Sequence, residues 1–219
     1  MVSSSAGSGS LRRRLPRAVR ERQMLDAAVE VFSRSGFHPA SMDEIADTAG
    51  VSKPMIYAYL GSKDDLFSAC IVREAERLME RIAAAVPTGL HPDERLYRGL
   101  LAFFEFVAEY RDGWIVLYRQ ARVQGTFAGQ ITALRERIIV VVAGLLAGAS
   151  DDGAGSHAMP TAYALVGAAE ALSDWGVEHP EQTPAQLAHR LMDLMWTGFS
   201  GLSRGERWAG PDRNSDAVS

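Results

Sequence analysis

The chain has 219 residues, with 23 Lys+Arg against 27 Asp+Glu for a net charge of −4, and 47% of its residues are hydrophobic. That length allows one large or two small domains with a substantial core, and the composition excludes disordered, fibrous and membrane-spanning classes. Cys70 is the single cysteine, so no internal disulfide is expected; no apolar run reaches a membrane span and the opening MVSSSAGSGSLRRRLPR lacks a secretory apolar segment, so no membrane and a cytoplasmic location are expected.

Residues 1–10 are a Ser/Gly/Ala tract, and 1–15 read as a disordered basic arm carrying Arg12, Arg13 and Arg14. Two readings stand for the arginine cluster from Arg12 to Arg20, which also includes Arg17: an arm reaching the minor groove or adjacent phosphates, or a solvated, disordered basic tail. A helix is predicted from about Arg17 to Ser35, with Leu25, Ala28, Val29 and Phe32 as its apolar stripe and Gly36 as its stop.

Ser41 to Phe67, SMDEIADTAGVSKPMIYAYLGSKDDLF, is the most informative stretch. Ser41 followed by Glu44 is a capping box that starts a helix at Met42. Ile45, Ala46 and Ala49 give that helix an apolar face, and Gly50 sits where a sharp turn requires positive φ. Ser52 is placed to cap the next helix, and Pro54 is tolerable in its first turn. Ile56 and Leu60 face back, while Lys53, Met55, Tyr57, Ala58 and Tyr59 project outward. Ser62 with Asp65 opens a longer helix near Lys63. Caps, turns and faces in this order describe a helix-turn-helix, the unit that lays a helix into the DNA major groove.

The longer helix continues to about Ala85, where Pro87 and Gly89 end it. The body is helical throughout. Predicted helices run from Pro92 to Tyr110, from an Asp112 cap to about Arg122, from Thr126 to Leu146, from Pro160 to Val177 and from Pro184 to Leu202. Ala149 to His157 reads as a loop, and 205–219 as a flexible tail. The expected fold is all-α: an N-terminal DNA-binding domain over 16–63 and a helical effector-binding and dimerisation domain over 64–204. Charge follows that division: residues 1–63 carry a net +3 and residues 64–219 a net −7, which suits a protein presenting one end to phosphates.

Gly36-Phe37, Ser41 to Ala49, Gly50-Val51-Ser52-Lys53, Ile56-Tyr57-x-Tyr59 and Ser62-Lys63-x-x-Leu66-Phe67 resemble the TetR family of bacterial transcriptional regulators, over about a fifth of the chain. Leu60 departs from it where Phe is usual, an apolar exchange on a packing face. Side-chain reach points Lys53, Met55 and Ala58 at base edges and Ser41, Tyr57, Tyr59 and Lys63 at phosphates, with Ser52 beside them as a further DNA-binding residue; the resemblance similarly implies that this short helix supplies the base contacts and that the Tyr and Lys positions hold phosphates. The alternative for the two tyrosines is partly buried packing.

In the body, Phe103, Phe104, Phe106, Val107, Trp114, Tyr118, Phe127, Ile131, Leu134 and Tyr163 suit either plain core or a cavity for an apolar ligand; the family resemblance implies a cavity somewhere among them. Gly167 and Ala171 on a small-residue helix, with Leu191, Met195 and Phe199 on the last one, suit a two-fold four-helix interface or internal packing. A homodimer would read two half-sites of a palindromic double-stranded DNA operator. Glu170 and Asp174 fall at the rim of that interface or toward the cavity.

Arg12 to Leu25, Ser52 to Met55, Gly61 to Lys63 and Trp114 to Tyr118 are similar to an actinobacterial subgroup controlling fatty-acid synthase genes. That likeness implies long-chain acyl-CoA as effector, with Arg119 and Arg122 conceivable partners for its phosphates. The five histidines are scattered and no metal spacing, phosphate loop or nucleophile elbow stands out, so neither an enzyme, a cofactor nor a metal site is expected. The competing function is a helical lipid-binding or scaffold protein without DNA binding.

Overall fold

In the computed structural model, residues 16–121, 125–147 and 155–203 are described, and they form nine helices. The first is α1, Arg17–Ser35, which buries Met24, Leu25, Ala28, Val29 and Phe32 at helical spacing. It ends where Gly36 takes φ 83° and returns its N–H to the Phe32 carbonyl. α2, Met42–Ala49, begins at Ser41, whose Oγ accepts from the Glu44 N–H at 3.0 Å. The expected box is only half formed, because the Glu44 carboxylate is drawn to Arg34 at 2.7 Å. Gly50 sits at φ 63°, ψ 35°, the left-handed turn the sequence requires. α3 is Lys53–Leu60 and buries Ile56. Ser52 precedes it without a side-chain capping bond, contrary to expectation, so its hydroxyl is left for another partner.

α4, Lys63–Ala85, carries the complete capping box of Ser62 and Asp65. Its early turns bury Leu66, Phe67, Cys70 and Ile71 in the same core as α1–α3, and that core extends to Val116, Leu117, Ala121 and Phe127. Cys70 is enclosed there, and burial pushes its thiol up to about 12.

α5 is Pro92–Glu109. After Tyr110 the chain re-enters a helix at once. α6 starts at Arg111 and passes at Trp114 into a π-helical turn, Ile115–Gln120. Asp112 therefore does not cap it: its carboxylate lies in the first turn and accepts from Ser33 Oγ on α1 at 2.7 Å. Gly113 packs on the fully buried Glu74, where an added Cβ would lie 2.5 Å from Oε2. Glu74 is held by Arg73 at 2.6 Å and Arg77 at 3.1 Å, and Arg73 also reaches Asp26 of α1 at 2.8 Å. A buried carboxylate is tolerable only with such partners.

α7 is Gly125–Ala147, α8 Gly155–Glu178 and α9 Pro184–Ser203. Gly155 to His157 are thus helical rather than loop, and Pro160 lies inside α8. A second core joins α5, α7, α8 and α9 through Leu96, Leu100, Phe104, Ile139, Leu165 and Leu191. α5 ends toward the N-terminal helices, as the Ser33–Asp112 bond requires, and α7 begins there, with Gln130 Nε2 donating to Ser68 Oγ at 2.7 Å. The two helices run in opposite directions along the body.

Candidate DNA interface and body cavity

On α3, Tyr57 is 48% exposed and Ala58 is exposed, beside the exposed Ser52. Lys53 is at the same surface, but its ammonium donates to Asp43 of α2 at 2.8 Å, and that bond raises its pKa. Met55 and Tyr59 are half-buried against the N-terminal core rather than fully outward. Successive residues on one short helix diverge by about 100°, so only part of the set can face a groove. Both are also covered by α1: Arg20 Nη1 donates to Met55 Sδ at 3.4 Å, and the Arg17 guanidinium lies 5.1 Å from the Tyr59 ring centre. Arg17 and Arg20, the C-terminal members of the expected arginine cluster, thus stand one turn apart at the start of α1 and lie against α3.

Ser41 uses its Oγ as a helix cap. Lys63 opens α4 with its ammonium over the Phe37 ring, 4.8 Å from the centre, and donating to the His38 carbonyl at 2.9 Å. Arg12, Arg13 and Arg14 lie outside the described residues.

The body holds an apolar-lined cavity of about 130 Å³ between α4, α5, α6, α7 and α8. Phe103, Trp114, Tyr118, Ile131 and Leu134 line it as expected, joined by Leu78 and Ile82 of α4 and by Ile138, Val141 and Leu145 further along α7. Five expected liners are elsewhere. Phe106 is fully buried in a small cluster with Leu78, Val107 and Trp114. Phe127 belongs to an aromatic cluster with Phe67 at 4.8 Å and Phe37 at 5.4 Å, where the body meets the N-terminal helices. Phe104 is buried in the second core. Val107, with Phe104, faces a separate pocket of about 340 Å³ near Ser173 and Gln182. Tyr163 is exposed and its hydroxyl donates to Glu136 at 2.7 Å. A helical stripe shows which residues share a face, not which neighbour that face meets, and so these were misplaced.

The charges near the cavity are largely paired. Arg135 holds Glu170 at 3.0 Å on the wall itself. Arg119, a suggested phosphate partner, is engaged by Asp174 at 2.6 Å and Glu178 at 3.3 Å, which raises its pKa. Arg122 lies outside the described residues. Of the suggested interface residues, Ala171 is exposed and Gly167 and Met195 are half-buried. Leu191 is buried in the chain's own second core, so it is internal packing; the side chain of Phe199 lies outside the described residues. Trp175 and Leu194 are exposed on the same two helices, Leu194 at 71%. Among the described residues no group of His, Cys, Asp and Glu gathers as a metal site, and no helix is long and apolar enough to cross a membrane.

The family profile described as "Bacterial regulatory proteins, tetR family" matches residues 24–70, and that of a "Tetracyclin repressor-like, C-terminal domain" matches 92–198. The HTH-type transcriptional activator FasR of Mycolicibacterium smegmatis is 35% identical over 153 residues, which are 69% of this chain and 69% of that protein. This chain belongs to the TetR family of transcriptional regulators. A solved TetR-like regulator from Rhodococcus sp. RHA1 is 49% identical and superposes with a TM-score of 0.76, covering 86% of this chain and all of that one. The fatty acid degradation regulator FadR from Bacillus halodurans has the same fold, with a TM-score of 0.74 at 20% identity, over 85% of this chain and 98% of its own. As a TetR-family member the protein is a DNA-binding transcriptional regulator, and its relatives are regulators rather than enzymes. The N-terminal match runs from Met24 within α1 to the early turns of α4 and includes Lys53, Tyr57 and Lys63; the C-terminal match spans α5 to most of α9 and with them most of the cavity wall.

Proposed function

We propose that the protein binds a palindromic operator as a homodimer and controls fatty-acid or lipid biosynthesis genes in response to a long-chain acyl-CoA held in the body cavity. The observation that carries this reading is the continuity between cavity and DNA-binding helices. Leu117 lines the cavity and is also part of the N-terminal core, and Ile131 and Leu134 line the cavity and pack against that core. A chain entering the cavity therefore presses on residues whose other side supports α1 and α4. Its effect on DNA affinity equals the difference between its affinities for the two arrangements of the N-terminal helices, and no more.

Tyr57, Ser52, Lys53 and Ala58 form the face toward the major groove. Ser41, Lys63 and the α1 arginines flank it as backbone contacts, together with the N-terminal arm bearing Arg12, Arg13 and Arg14. The exposed apolar residues Trp175 and Leu194, with the exposed Ala171 one turn before Trp175 on α8, supply the surface for a second copy. The likeness to FasR and the apolar lining favour an acyl chain as ligand.

The test is fluorescence anisotropy on labelled promoter fragments, from the protein's own gene and from fatty-acid synthase genes, at two salt concentrations, with palmitoyl-CoA titrated into each complex. Fragment-selective, salt-sensitive binding that palmitoyl-CoA shifts is the expected result. Selective binding indifferent to palmitoyl-CoA removes that ligand class. Uptake of palmitoyl-CoA by a protein that selects no fragment favours the lipid-binding alternative.

A further inference from the structure

The cavity has direction. Its α7 wall runs from Ile131 to Leu145, about 21 Å at the rise of an α-helix. The Ile131 end lies beside the N-terminal helices, where Trp114 and Leu117 also line it. At the other end lies the start of α5, which runs opposite to α7, and there the wall includes Arg95, Leu96 and Gly99. Gly99 packs toward Val86 at the end of α4, which fixes this as the end remote from DNA.

Arg95 differs from every other charge on the wall. Arg135 and Glu170 satisfy each other at 3.0 Å. The carboxylates next to Arg95 in the chain are occupied, Glu94 by Arg98 at 2.6 Å and Asp93 by His91. Arg95 makes no ion pair among the described residues, is half-buried, and its Nε is closed to solvent without a hydrogen-bond partner. An enclosed guanidinium nitrogen without an acceptor is costly and is uncommon unless something else supplies the acceptor.

We infer that Arg95 anchors the anionic head of the effector, so that an amphiphile lies in the cavity with its head at the start of α5 and its apolar end against Trp114, Leu117 and Leu134. This rests on the acyl-effector reading and assigns its polarity. The ligand class is a single-chain amphiphile ending in an anion, whether the carboxylate of a free fatty acid or the phosphates of an acyl-CoA. The guanidinium fork suits both. Arg119, ion-paired on α6, then has no part in head recognition.

The experiment measures binding of palmitate, palmitoyl-CoA and uncharged hexadecanol by isothermal titration calorimetry to the full chain and to its R95M, R95K and R98M variants. R98M removes a neighbouring, exposed cation and controls for general charge. The expected result is about tenfold weaker binding of the anions to R95M, partial recovery in R95K, no change in R98M, and hexadecanol bound alike by all four. If only palmitoyl-CoA weakens in R95M, the head is the CoA phosphates; if both anions weaken, the carboxylate suffices. Equal anion binding by the full chain and R95M, with hexadecanol bound, overturns the anchor while keeping the acyl site. Failure of the unaltered chain to bind any of the three overturns the acyl reading and the anchor together. Equal loss of hexadecanol and anions in R95M means that Arg95 only supports the wall, and that overturns the anchor as well.

Discussion

At the scale of single residues, the proposed DNA face is a set of partly engaged groups. Lys53 is held by Asp43 at 2.8 Å, so a carboxylate stands at the surface proposed to meet phosphates. Asp43→Asn is expected to strengthen operator binding several-fold and to steepen its salt dependence, read by anisotropy across a salt series, because the ammonium is released and a repulsive charge removed. Unchanged affinity would place Asp43 and Lys53 away from the DNA. Tyr57→Phe, by contrast, removes only a hydroxyl from an exposed ring. It is expected to weaken binding by about 1 kcal/mol on all sequences alike, as the loss of a phosphate contact does. A loss confined to one operator sequence would make Tyr57 a base reader instead. Cys70 is buried with its thiol pushed up to about 12, so it should resist alkylation at neutral pH until the protein unfolds; rapid modification of the folded chain, followed by mass spectrometry, would contradict that packing.

At the scale of elements, α4 and α6 carry the connection between the two ends of the molecule. Gly113 meets the buried Glu74, whose arginine partners reach back to α1. Gly113→Ala has no space for its Cβ and is expected to lower stability by about 1–3 kcal/mol in urea unfolding, with an alanine at the unconfined Gly129 as the comparison. Helix starts and turns were legible because each rests on a local pattern: Ser62 with Asp65, Gly50 at positive φ, Gly36 closing α1. What was not legible depends on contacts remote in sequence. The Asp112 carboxylate is diverted to Ser33, the Glu44 carboxylate to Arg34, and the π-helical turn after Trp114 has no marker in the residues themselves. The cavity was legible in part for the same reason. Phe103 and Trp114 line it, while Phe127, of the same chemical type, packs on Phe67 and Phe37.

At the scale of the whole molecule, charge is divided unevenly, a net +3 over residues 1–63 and a net −7 over residues 64–219, which suits the proposed division of DNA and ligand binding. One core includes residues from α1 to α7, so the cavity wall and the base of the DNA-binding helices are not independent. That continuity is how an apolar ligand, buried away from DNA, can favour one placement of α3 over another. The measurement that tests this most directly is operator affinity with and without palmitoyl-CoA, for the unaltered protein and for Leu134→Trp, in which the indole fills the cavity beside the N-terminal core. The account predicts a clear shift in affinity on adding palmitoyl-CoA to the unaltered protein and none in the variant, whose operator binding is then fixed in one state. An equal shift in both proteins would contradict it, because the ligand would then be acting from somewhere other than this cavity.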